Sequence, residues 1–218
     1  MEFKKIILES FSVIFENKVT LSKALAIPFV IYLAIEVCVY FDIPEILSWV
    51  LAALAWVIYA IIAITTHRVV LLGPSSVPKW GITSWSKRET YFMLHVLGIG
   101  AMAMGVSLLG IIPIIGAIVA LVVVFWLLPR FSLVFPGIAV DKGVSFKLSW
   151  ELTQDYQLHM FLIVIVLPIL LGIPTLLFAQ IPYGSFLSSV LAAFVLLFEI
   201  AALSLTYQQI TNEVYDQG

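Results

Sequence analysis

Four ionisable side chains lie within long apolar runs: Glu36, His95, Arg130 and Glu199, with Arg68 nearer an edge. Each is a candidate site, because a charge at the centre of a membrane helix costs about 2.5–3.5 kcal/mol on insertion scales and is kept only where it has a partner or a task. Counting back from the helix ends read below, Arg130 and Glu199 each lie about nine residues, roughly 13 Å, from the same side of the membrane. A buried guanidinium needs acceptors, and Glu199 is the acid expected at that level, so the two are expected to pair. His95 lies about six residues, roughly 9 Å, into its run and completes an expected intramembrane polar cluster of Arg130, Glu199 and His95. Glu36 lies near the opposite face, close to Asp42, and cannot join them. Such a cluster would either fix helix packing and register or form a proton or substrate site. The first reading is the better supported, since the surrounding runs are nearly continuous and apolar, without the broken helices of a transporter.

Other chemistries are absent from the pattern. No Ser/His/Asp arrangement, phosphate loop or metal-ligand spacing occurs, and His67, His95 and His159 are scattered. One cysteine, Cys38, excludes an intrachain disulfide and a Cys cluster for zinc or iron–sulfur. The expectation is a protein that is not an enzyme and uses no metal or cofactor.

The elements that must position these residues follow from composition. Of the 218 residues, 62% are hydrophobic and 11% charged, and mean hydropathy is +1.13, far from the roughly 25% charged usage of soluble domains. The class is therefore all-α and polytopic, a single transmembrane domain over 1–218 with six spans at about 20–41, 47–71, 89–110, 114–139, 157–179 and 185–208. Span 4 is expected to run past Arg130 to about Ala139, with the arginine facing the bundle. Two further segments pattern as amphipathic interfacial helices. In 1–17, Phe3, Ile6, Ile7, Phe11 and Ile14 oppose Glu2, Lys5, Glu9, Ser12 and Glu16; in 144–155, Lys147, Glu151 and Gln154 form a polar stripe against Phe146, Leu148, Trp150 and Leu152. The first would lie in the headgroup plane and lead into span 1; the second would lie on lipid or pack on its own bundle.

Charge sets the orientation. Every Lys and Arg except Arg130 lies in or beside the termini and the segments 72–88 and 140–156, while the opposite loops carry Asp42 and Glu45 and no base. The positive-inside rule then puts both termini in the cytoplasm. The first stretch, interrupted by Glu9 and Glu16, does not pattern as a secretory signal. A net charge of −2 argues against nucleic acid as a partner; membrane lipids and other membrane proteins are the expected ones. Lys79, Trp80, Trp85, Lys87 and Arg88 fit a cytoplasmic aromatic and basic belt able to grip anionic headgroups. The pairs Ala101/Gly105 and Gly116/Ala120 would permit close helix approach. A weak internal repeat lays Ser10, Phe11 and Glu16 over Ser149, Trp150 and Asp155.

The stretches HRVVLLG (67–73), KRETYF (87–92) and above all RFSLVFPGIAVDKGVSFKLSWELT (130–153) resemble the bacterial YciC-like membrane proteins and the related membrane domain attached to some glycerophosphodiester phosphodiesterases. The resemblance implies a six-helix bundle of the bacterial inner (plasma) membrane, linked to envelope homeostasis, and supplies no catalytic residues. The phosphodiesterase domain itself is missing: His67-Arg68 is followed by Val69 where its motif would have glycine. Three functions stay open: a non-enzymatic scaffold or envelope-homeostasis protein acting through lipid or protein contacts, an accessory subunit of a larger membrane complex, and a small transporter or lipid-handling protein. The last needs a polar cavity shared by His95, Arg130 and Glu199.

Overall fold

The computed structural model describes residues 2–39, 41, 43–81, 84–142, 145–181 and 184–216, which are helical and contain no strand. Six stretches are long and apolar enough to cross a membrane: Lys18–Cys38, Glu45–Leu72, Lys87–Ile111, Ile115–Ala139, Gln154–Ala179 and Phe186–Val214. They match the expected spans to within a few residues, apart from the last. The protein is an all-α, multi-pass membrane protein.

In chain order, α1 is Phe3–Glu16, α2 Lys18–Val39, α3 Glu45–Leu72, α4 Lys87–Ser107 and α5 Ile115–Phe131. Then come α6 Val134–Ala139, α7 Phe146–Leu152, α8 Gln157–Phe161, α9 Leu167–Ala179 and α10 Gly184–Asp216. Helices α3 and α10 lie side by side, with α2 on α3 and α9 on α10. Leu25 and Tyr32 of α2, Ile58 and Ile62 of α3, and Leu197 and Ala201 of α10 fill the seam. A second cluster, Ile64, Phe92, Val134 and Ala139, fixes α4 and α6 against α3.

The fourth span continues past Arg130 as expected, but it breaks at Ser132–Leu133, between α5 and α6. Pro136 explains the break. It has no N–H to give the Ser132 carbonyl and its ring would crowd that oxygen, so Ser132 accepts instead from Phe135 at 3.3 Å. The fifth span is likewise less regular than its apolar run suggests, with a π-helical turn at Leu162–Val166 just ahead of Pro168. Helix α10 has no such break. At 33 residues it is roughly 50 Å long, well beyond the about 30 Å of hydrocarbon core.

Helices form at both of the short segments, and both pack on the bundle. Ile6 of α1 is buried with Ile163, Leu167 and Ala202, and Phe11 stacks on Phe198 at 4.3 Å. Ser10 shares that face because its hydroxyl is satisfied by the Ile6 carbonyl at 2.6 Å. Helix α7 starts at Phe146, capped by Ser145 accepting from the Leu148 N–H; position 144 lies outside the described residues. It packs chiefly on α5, and also on α6 and α10, whereas α1 packs chiefly on α10.

Candidate functional site

The three quoted stretches, 67–73, 87–92 and 130–153, meet at one end of the bundle. Gly73 closes α3 in the left-handed region, φ +83°, with its N–H on the Val69 carbonyl. The chain then turns back, so that Ser76 accepts at its carbonyl from Arg68 Nε at 3.2 Å. Helix α4 begins with a capping box: the Ser86 hydroxyl oxygen accepts from the Arg88 N–H, and Glu89 accepts from the Ser86 N–H at 2.8 Å. Helix α6 ends in a Schellman closure, in which Asp141 (φ +59°) donates to Ile138 and Lys142 to Gly137, both at 3.0 Å.

These three caps bring four charges together. Arg68 Nη1 donates to Asp141 Oδ2 and to the Ala139 carbonyl, each at 2.9 Å. Arg88 Nη1 reaches the same Oδ2 at 3.2 Å, and its Nε and Nη2 hold Glu89 at 3.0 and 2.8 Å. Glu89 is only 1% exposed, which is sustainable because both its oxygens are paired. Two guanidiniums and two carboxylates balance.

Beside this network lies a cleft of about 430 Å³ whose polar lining is Lys87, Arg88, Tyr91, His95, Asp141, Lys142 and Ser145, Asp141 being already paired with both arginines. Among the described residues neither Lys87 nor Lys142 has an ion-pair partner, so the cleft carries a net positive charge. His95 faces this cleft, its Nδ1–H donated to the Tyr91 carbonyl at 2.8 Å and its ring against Phe146 at 4.7 Å. The expected headgroup residues therefore divide. Lys87 and Arg88 belong here, with exposed Trp85 tied to Thr90 at 2.9 Å. Lys79 and Trp80 line a separate hollow with Lys23 and Pro74, and Lys23 sits over the Trp80 ring at 6.0 Å.

The expected Arg130–Glu199 pair does not form. Arg130 is buried, 5% exposed, but its Nη1 reaches the Trp150 carbonyl at 3.3 Å and Thr153 Oγ1 at 3.4 Å, and its Cζ lies 4.4 Å from the Trp150 ring centre. The reason is adjacency: α5, which carries Arg130, packs on α4, α7 and α8 and not along α10, which carries Glu199. Helix α10 continues past 208, and its Glu213 accepts from the Tyr156 hydroxyl at 2.6 Å, three residues beyond Thr153. Glu199 has no hydrogen-bond or ion-pair partner among the described residues, and His95 lines a different cleft. The cavity a transporter would need around His95, Arg130 and Glu199 is thus not assembled.

Comparison with family models, with curated proteins and with solved structures finds no match.

Glu36 accepts from the Ser189 hydroxyl of α10 at 2.9 Å; its suggested neighbour Asp42 lies outside the described residues. Ala101 and Gly105 are exposed instead of packed. Gly116 does allow close approach, since a Cβ there would lie 1.8 Å from the Leu109 carbonyl oxygen. What sequence reading missed is the face of α7 that packs. Ser149 and Thr153, both fully buried, turn toward α5, and the Ser149 hydroxyl donates to the Arg130 carbonyl at 2.8 Å. A small-polar i, i+4 pair was the available signal. It was obscured by the larger Phe146, Leu148 and Trp150 around it. His67, dismissed as isolated, bonds Ser204 Oγ at 2.7 Å inside the α3–α10 seam.

Proposed function

We propose that this chain is a non-enzymatic protein of the bacterial inner membrane, with both termini in the cytoplasm, that engages anionic lipid headgroups and serves as a scaffold in envelope homeostasis. The observation that carries the reading is the cleft in which Lys87 and Lys142 stand unpaired beside a self-neutralised quartet. A headgroup phosphate supplies the missing negative charge, each basic group near an anionic surface contributing about 1 kcal/mol. Exposed Trp80, Trp85 and Tyr91 at the same end suit the headgroup layer. The resemblance to YciC-like proteins agrees with this reading.

The test is selective lipid retention. Purified protein reconstituted with phosphatidylglycerol and phosphatidylcholine should retain the anionic lipid, and Lys87→Gln/Lys142→Gln should lose much of that preference without a loss of thermal stability, both lysines being exposed. Unchanged preference would remove the main support. For orientation, cysteines at Ser75 and Gln209 should resist an impermeant thiol reagent in intact cells while one at Glu45 reacts.

A second reading, an accessory subunit of a larger membrane complex, is favoured by α4, whose span is the least covered of the six, only 6% of its most apolar window being buried. Exposed Gly100, Ala101 and Gly105 would admit a partner helix. A photo-crosslinker at Met104 that captured a specific membrane protein in cells would favour it.

A further inference from the structure

Arg130 is a buried, permanently charged group whose donors are poorly satisfied. A guanidinium has five N–H donors and keeps its charge at any working pH. Here Nη1 makes two long contacts, 3.3 and 3.4 Å, to neutral oxygens, and Nε is buried with no partner. Among the described residues no carboxylate lies within ion-pairing distance and none bonds Nη2. Stacking on Trp150 covers one face of the group and is favourable, but it supplies no acceptor in the plane of the N–H fork. A buried cation left this way costs several kcal/mol. The fold nevertheless invests in holding it: Trp126 braces Trp150 edge-on at 5.1 Å, and Ser149 ties α7 to the Arg130 carbonyl.

What lies next to it is a cleft of about 400 Å³, with Arg130 and Gln157 as its polar residues and Phe125, Trp126, Leu158 and Phe161 among its apolar walls. That volume is within the range of small-ligand sites. No lining residue is acidic. One amide proton of Gln157 is directed to the Gln154 carbonyl at 3.1 Å, which leaves a second donor. The walls carry some of the most exposed apolar residues of the molecule, Val122 at 61%, Trp126 at 48% and Leu158 at 72%, so the cleft opens sideways on the apolar outer surface. A ligand arriving there comes out of the bilayer with an apolar tail and meets a fixed cation at the inner end.

We infer that this cleft binds the phosphate of an anionic membrane lipid, with Arg130 holding the phosphate and the Phe125–Phe161 walls taking the adjoining part of an acyl chain. The planar fork of arginine matches phosphate oxygens, and the aromatic backing keeps it flat for them. The site is separate from the Lys87/Lys142 cleft and stands or falls independently of it.

Native mass spectrometry of the full-length protein, with phosphatidylglycerol or phosphatidylcholine added in detergent, tests the assignment. One phosphatidylglycerol should survive collisional activation that removes phosphatidylcholine. Arg130→Gln should weaken that retention about tenfold or more, the loss expected for one charge-assisted contact, whereas Lys87→Gln/Lys142→Gln should leave it in place. Because Arg130→Gln can also loosen α7, Leu158→Trp provides a second arm that fills the exposed mouth without touching the cation. It should cause a similar loss. Wild-type retention in both variants, or equal retention of phosphatidylcholine, overturns the proposal. Millimolar inorganic phosphate should not displace the lipid; if it does, the site takes a free anion and the lipid assignment is wrong.

Discussion

Arg68 and Asp141, 73 residues apart in the chain, meet through a hydrogen bond of 2.9 Å that joins the end of α3 to the end of α6. Asp141 can reach Arg68 and Arg88 together because its backbone adopts the left-handed conformation that closes α6. Asp141→Asn tolerates that conformation and removes the charge. The carboxylate side chain is 57% exposed, so the loss is limited by solvent screening to about 1 kcal/mol. A fall of a few degrees in the melting temperature in detergent, reduced at high salt, is the expected result.

Glu89 should matter more. It is buried, caps α4 and neutralises Arg88, so Glu89→Gln leaves a partly buried guanidinium short of an acceptor. The expected cost is about 2–3 kcal/mol, above the roughly 1 kcal/mol of Ser86→Ala, which removes the hydroxyl's bonds with the Arg88 N–H and Glu89 but leaves the ion pair. Hydrogen exchange at residues 87–92 should rise in both variants, and further in the glutamine one. Equal effects would mean that the ion pair contributes little.

The attachment of α7 is testable apart from any lipid. Ser149→Ala removes the shorter of two hydroxyl contacts to the Arg130 carbonyl, leaving Thr153 Oγ1 at 3.4 Å, and is expected to lower stability by about 1 kcal/mol. Limited proteolysis should then cut within 145–156 faster than in the wild type. If cleavage there stays unchanged, α7 is held by Trp150 and its aromatic neighbours alone.

Arg130 and Glu199 should behave as independent sites. The losses in stability from Arg130→Leu and Glu199→Leu should add to within about 0.5 kcal/mol in the double variant, as for residues that share no partner. Coupling beyond that would restore the pair suggested by the sequence. It would also contradict the packing of Arg130 on Trp150.

Composition and hydrophobic run length were enough to determine the class and the six spans, because the cost of exposing backbone polar groups in lipid leaves a chain this apolar little choice but helices. The same physics marked Arg130 as needing acceptors and carried the fourth span beyond it. Which acceptors it found was a tertiary matter. Pro136 breaks the span just after Arg130, and α5 packs on α7 and α8 and not along α10, which leaves Arg130 to Trp150 and Thr153. The quartet of Arg68, Arg88, Glu89 and Asp141 was equally hidden, although each residue lies in or beside a stretch the sequence singled out. Charges near helix ends look alike in one dimension, and only the caps at Gly73, Ser86 and Asp141 decide which of them come within bonding distance.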